Sequence, residues 1–278
     1  MLLRTLIVGL NMSGALMVTH SGLRTGLVAR RMAVVLGVLL LGLAAFIPIR
    51  DALAAPPQGF VDLTIETDIF TPVQLAMAPD GRLVVVKDDG SAVIIVNDQA
   101  LTTPFLDIKD RVNTEGDRGM FSMAFDNNFA ANGYIYVMYV HDDDKNDNDP
   151  GNPRLSRFTV TGNSANQNTE VVLFDDFPTA DVDLHYGGAV QHGSDGRLYV
   201  TVGDYLIGPN AQDNTNLKGT VLRLNTNGSI PTSNPFYDEF QGNNRAIYAY
   251  GLRNPWNTQE NPVTGEIYIS DVLSLIHI

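Results

Sequence analysis

After Pro56 and Pro57 the apolar residues fall in short runs of strand length, rich in Val, Ile, Tyr and Phe and bounded by Asp-Gly, Asn-Gly or Thr-Gly. Long helical periodicity is absent. The segments VDLTIET (61–67), RLVVVKD (82–88), SAVIIVN (91–97), YIYVMYV (134–140), RLSRFTV (154–160), EVVLF (170–174), RLYVTVGD (197–204), TVLRLN (220–225), AIYAY (246–250) and EIYISD (266–271) each show alternation or a compact apolar run. They predict an all-β chain.

One local pattern recurs, a glycine turn feeding an apolar strand. It occurs as Asp80-Gly81-Arg82-Leu83-Val84-Val85, Asn132-Gly133-Tyr134-Ile135-Tyr136-Val137, Asp195-Gly196-Arg197-Leu198-Tyr199-Val200 and Thr264-Gly265-Glu266-Ile267-Tyr268-Ile269. The interval is roughly 50 to 70 residues, which suits four-stranded propeller blades carrying long loops. A pair of β-sandwiches is the competing architecture, since it also yields many short strands. The repeat favours a propeller, with about four blades begun before the pattern stops near Val272.

The ends of the chain read differently from its middle. Arg30 and Arg31, the apolar run from Met32 to Ile49, and Ala52-Leu53-Ala54 have the order of a signal peptide, with cleavage expected after Ala54 or Ala55. The alternative is a short membrane anchor, against which Pro48 counts. Residues 1–31 read as an extended leader or a misassigned start, 32–55 as the signal peptide and 56–272 as the partial propeller. Residues 273–278 read as a non-native tail, because Leu-Ser-Leu-Ile-His-Ile is also one reading frame of a common transposase sequencing adapter. The expectation is a periplasmic or secreted protein with no stable membrane insertion after cleavage.

Charge narrows the partners. The 278-residue chain has 31 Asp and Glu against 18 Lys and Arg, a formal net charge of −13, so it lacks the concentrated cationic face that nucleic acid requires. With no cysteine it has no disulfides, thiolate metal sites or thiol nucleophiles.

Two segments carry candidate chemistry. His185-Tyr186-Gly187-Gly188 places paired glycines after a histidine, where backbone or a flat ligand can come close to an imidazole able to accept a proton at neutral pH. Alone, a histidine in a polar loop is more often structural or solvated. In Tyr250-Gly251-Leu252-Arg253-Asn254-Pro255-Trp256, Arg253 offers a planar cationic fork and Asn254 both a donor and an acceptor, a pair suited to an anionic planar ligand. The same residues could bridge blades and open a turn before Pro255.

These segments, with APDGRLVVV (78–86), GDRGMFSMAFDNNFAANGYIYVMYV (116–140), HYGGAVQHGSDGRLYVTVGD (185–204), GTVLRLNTNGSIPTSNPF (219–236) and YGLRNPWN (250–257), stand in an order that resembles the glucose/sorbosone dehydrogenase family, including the soluble PQQ-dependent glucose dehydrogenases. The resemblance covers about residues 60 to 272. It implies a six-bladed propeller of four-stranded antiparallel blades that oxidises a sugar with PQQ and passes the electrons to an external acceptor. His185 falls on the family's proton-abstracting histidine, and Arg253 and Asn254 on the pair that contacts PQQ.

The resemblance places Asp204 and Tyr205 in a loop near the substrate entrance, and Asp204 could equally be a turn-capping carboxylate. Where glucose-oxidising members carry a PQQ-contacting Gln, this chain has Asp117 or Arg118, which become candidate cofactor contacts or, alternatively, a structural ion pair. The family's calcium site lies beyond the strand ending at Asp271, so the metal ligands are unknown. The acidic stretch His141 to Asp149 lacks the glycine and distal glutamate of an EF-hand and reads as a solvated loop. The rival functions are a propeller that binds carbohydrate or protein without catalysis, and a calcium-dependent lactone hydrolase.

Overall fold

The computed structural model describes residues 69–142, 151–179 and 184–272, all within a unit that runs from Leu63 onward. The expected leader and signal peptide, the strand at 61–67, most of the acidic stretch at 141–149 and the tail at 273–278 lie outside the described residues. Among those residues no helix is long and apolar enough to cross a membrane.

The chain folds as consecutive antiparallel meanders. The first sheet contains β1 (Pro72–Met77), β2 (Leu83–Lys87), β3 (Ser91–Val96) and β4 (Gln99–Ala100), with β5 (Leu106–Asp107) pairing on β3. The second runs β6 (Met120–Phe125), β7 (Tyr134–His141), β8 (Asn152–Thr161), β9 (Ser164–Phe174), and the third β10 (Gly187–His192), β11 (Arg197–Val202), β12 (Thr220–Asn225), β13 (Ile247–Tyr250). Two strands, β14 (Pro255–Glu260) and β15 (Ile267–Asp271), form the fourth. The first strand of each sheet lies beside the first strand of the next, β1 on β6, β6 on β10 and β10 on β14. That side-by-side succession of inner strands is how propeller blades are arranged, and it rules out the sandwich alternative.

Burial on both faces explains why the middle strands are apolar without interruption. In β7, Ile135, Val137 and Tyr139 enter the core shared with the first blade, while Tyr136, Met138 and Val140 enter the core shared with the third. Alternate residues of a strand point to opposite faces, so a blade between two neighbours needs apolar residues at every position. Each such side chain contributes about 1.5–3 kcal/mol when fully buried.

The repeated turns are built alike. In the first and third blades the glycine amide closes onto a carbonyl three residues back, Gly81 on Ala78 and Gly196 on Gly193, both at 2.9 Å. The preceding aspartate caps the next backbone N–H, Asp80 taking Arg82 at 3.2 Å and Asp195 taking Arg197 at 3.0 Å. Gly196 sits at φ +72°, a conformation open to glycine at little cost. In the second blade a single-turn helix, α1 (Phe129–Asn132), fills the same place and ends at Gly133.

Polar side chains stitch the inner strands together. Gln74 Oε1 accepts from the Met123 amide at 2.7 Å, joining β1 to β6. Ser122 donates to Gly188 O at 2.7 Å and accepts from the Val190 amide at 2.8 Å, joining β6 to β10. Thr201 accepts from Ala189 and donates to Pro255 O, joining the third blade to the fourth.

Candidate active site

The expected site residues gather at one end of the inner strands. Asp117 and Arg118 precede β6, His185 precedes β10 and Asp204 follows its partner β11, while Arg253 and Asn254 precede β14. Parallel alignment of the inner strands brings their starting ends to the same face, so residues far apart in sequence become neighbours there.

His185 is the centre of this cluster. Its side chain is 10% exposed, and its Nδ1 lies 2.8 Å from Asp204 Oδ1, a carboxylate that is itself buried. A carboxylate can only accept, so Nδ1 carries the hydrogen and the lone pair of the neutral ring is on Nε2. Asp204 is held in turn by the Leu206 amide on Oδ1 at 2.9 Å, and its own amide donates to Arg253 O at 2.7 Å. The His185 amide donates to Asp117 Oδ2 at 3.0 Å.

The backbone around the histidine is tightly specified. His185 has φ +63°, and Tyr205 and Leu206 have φ +53° and +62°, left-handed conformations that L-residues avoid by about 1 kcal/mol or more each. The Tyr205 amide bonds His185 O at 3.3 Å, and Gly203 lies so close to that carbonyl that no β-carbon fits between them. Gly188, at φ +99°, lies against the Phe121 ring, again with no room for a β-carbon.

Asn254 Oδ1 accepts from the Gly187 amide at 3.1 Å, which leaves its Nδ2 hydrogens as the donors it can offer a ligand. Asp271 fixes this segment from β15, its two oxygens taking the Arg253 and Asn254 amides at 3.0 and 2.7 Å. The Arg253 guanidinium donates from Nη1 to Val272 O at 2.7 Å.

Asp204 and Tyr205, expected in a loop near the substrate entrance, are both buried, and Asp204 also caps the turn after β11 by accepting from the Leu206 amide at 2.9 Å. Asp204 is bound to the imidazole, and Tyr205, 1% exposed, stands edge-on to Tyr186 at 5.0 Å with its hydroxyl unpartnered among the described residues. Burial pushes the Tyr205 hydroxyl far above the usual phenol range. Arg118 pairs with Glu115 at 3.4 Å, and its Nε bonds Tyr186 Oη at 3.0 Å. Sequence reasoning did not single out Asp271 as a site residue.

The donor set suits the reacting edge of a flat anion. A base nitrogen, a cationic fork and an amide come from adjoining loops, and the nearby carboxylates Asp117, Asp204 and Asp271 are each committed to hydrogen bonds within the protein. Among the described residues no group of three or more His, Cys, Asp or Glu side chains is arranged to hold a metal.

The glucose/sorbosone dehydrogenase family profile matches residues 69–272. The chain belongs to the glucose/sorbosone dehydrogenase family. It is 28% identical over 234 residues to the aldose sugar dehydrogenase YliI of Escherichia coli, covering 82% of this chain and 61% of that protein. To quinoprotein glucose dehydrogenase B of Acinetobacter calcoaceticus it is 27% identical over 253 residues, covering 81% and 52%. The chain thus spans between about half and three fifths of the length of these relatives. The fold matches the PQQ-bound aldose sugar dehydrogenase of Streptomyces coelicolor with a TM-score of 0.63 at 22% identity, over 76% of this chain and 59% of that one.

Proposed function

We propose that this glucose/sorbosone dehydrogenase-family protein oxidises an aldose or a related sugar to its lactone or acid with PQQ. In this reading His185 is the general base, and Arg253 and Asn254 hold the cofactor. The observation that carries it is the His185–Asp204 contact at 2.8 Å, which fixes the tautomer in which Nε2 is the basic atom.

When bound, PQQ supplies the acceptor for the hydride that leaves the sugar C1. His185 Nε2 takes the C1 hydroxyl proton as the C1–O bond becomes a carbonyl. Asp204 keeps the ring oriented and stabilises the imidazolium while it holds that proton. The Arg253 guanidinium places positive charge where negative charge gathers as the quinone is reduced. Asp271 is a positioning residue that holds the Arg253 and Asn254 backbone in place. Asp117, spent on the His185 amide, organises the loop and does not itself face the anion in this assignment.

Calcium, an external electron acceptor and export to the periplasm or medium complete the reading. They are supported by the family membership and by the leader-like N-terminus, and no step is assigned to the metal. A propeller that binds without catalysis would share this fold but has no use for a basic nitrogen aligned by a buried carboxylate.

The test is a PQQ titration followed by quenching of protein fluorescence. Arg253→Ala should raise the PQQ Kd at least tenfold, the loss of a charge-assisted contact worth roughly 1.5–3 kcal/mol. An unchanged Kd would remove Arg253 from the site.

A further inference from the structure

The second and third blades meet at a histidine that bridges them while it is neutral. His192 ends β10 and is 6% exposed, and its Nδ1 accepts the Asn127 amide hydrogen at 2.9 Å from the turn that follows β6. An imidazole nitrogen that accepts a hydrogen bond carries no proton, so the ring hydrogen is on Nε2. The ring also has a hydrogen bond to the Phe125 backbone and stands edge-on to Tyr136 of β7 at 5.4 Å. Beside it the Asn127 side chain donates to Gly193 O at 2.7 Å, a link that does not titrate.

Protonation breaks this arrangement. A hydrogen on Nδ1 would point at the Asn127 N–H, so two donors would face each other and the bridging bond would be lost. The carboxylates around the ring are in no position to take that hydrogen. Asp126 Oδ2 is 3.8 Å from Nδ1, beyond hydrogen-bond range, and that carboxylate already accepts from Tyr136, the Asn128 amide and Asn132. Asp195, in the β10–β11 turn, is held by Arg223 at 2.7 Å, by the Arg197 amide and by Tyr199. Glu260, at the end of β14, takes the amide and hydroxyl of Ser194.

Burial lowers the proton affinity of the imidazole, and the three carboxylates offset that only in part. The neutral ring therefore contributes its full stability above the ordinary histidine pKa of about 6.5. That contribution is lost as pH falls from there toward the lower value in the folded protein.

We infer that His192 is an acid-sensitive latch between the second and third blades, closed while the imidazole is neutral and released when it is protonated. β10 ends at the latch and starts two residues after His185, so release loosens the strand next to the proposed base. That consequence rests on the redox reading, in which an acid product itself lowers the pH; the latch does not.

The test is backbone hydrogen exchange on the full-length protein without PQQ. Between about pH 7.5 and 5.0 the protection factor of the Asn127 amide should fall at least fivefold, as the linkage of one proton requires. Val190, whose amide bonds Ser122 Oγ at 2.8 Å across the same two blades, should keep its protection within twofold. In His192→Asn an amide oxygen takes the place of Nδ1, accepts the same hydrogen and does not protonate, so Asn127 protection should change with pH by less than twofold. The inference is overturned if Asn127 keeps its protection down to pH 5.0, if Asn127 and Val190 lose it together, or if the pH dependence persists in His192→Asn. The wild-type pair of amides decides the matter alone should the variant not fold. No PQQ enters these measurements, so a failed PQQ titration would count against the redox reading and leave the latch standing.

Discussion

His185→Ala is expected to lower the kcat of PQQ-dependent aldose oxidation by roughly 10²–10⁴-fold, the usual contribution of a positioned general base. The effect should fall on kcat more than on KM, because Nε2 acts on the hydroxyl proton in the transition state rather than on sugar binding in the ground state. Dye reduction under saturating aldose is the readout. Asp204→Asn should also lose activity, since an amide can present a donor to Nδ1 and so favour the tautomer with its lone pair on the wrong nitrogen. A His185→Ala enzyme with kcat within threefold of wild type would exclude the imidazole as the base.

Gly203→Ala should be the most damaging single-methyl change near the site. The added carbon would land on the His185 carbonyl, and neither side can retreat. Gly203 is tied through its amide to Tyr186 O at 3.1 Å and through its carbonyl to the Gly219 amide at 2.8 Å, while His185 is held by Asp117 and Asp204. A loss of roughly 3 kcal/mol in urea denaturation is expected, at the top of the overpacking range, together with loss of activity as the histidine is displaced. Gly196→Ala provides the contrast. Its β-carbon meets nothing within 4 Å, so only the positive φ is penalised, at about 1 kcal/mol. Equal losses for the two variants would show that steric contact at His185 is not what Gly203 relieves.

Most strands readable from sequence carry a buried apolar face. The runs at β7 and β8 enter the cores on both sides of their blade, those at β2 and β3 the core between the first and second blades, and those at β11 and β12 the core between the second and third. The four inner strands were not read as strands at all. PVQLAM and MFSMAF are apolar runs each broken by one polar residue, Gln74 or Ser122, which makes the hydrogen bond to the next blade, while GGAVQH and PWNTQE mix glycines, amides and small polar residues. In the last two neither alternation nor a continuous apolar run survives.

The site was legible in a similar, partial way. His185, Arg253 and Asn254 stood out through their motifs, but Asp204 was read as an entrance or turn-capping carboxylate and not as the partner of His185. The signal was present in the hairpin itself. Gly187 pairs with Val202, so antiparallel register carried two residues further sets His185 opposite Asp204. Asp271 is itself the register partner of Pro255, which sets it beside the Arg253–Asn254 segment. Tyr205 could not be placed this way, because three left-handed residues turn the chain and send its ring into the core.

The most direct measurement is a crystal structure of the protein grown with PQQ. With His185 as the base and Arg253 as the cofactor's cationic contact, the quinone edge should lie against His185 Nε2 and an oxygen of the same molecule on the Arg253 guanidinium. PQQ bound elsewhere, or an imidazole turned so that Nε2 faces Asp204 and Nδ1 the cofactor, would contradict it.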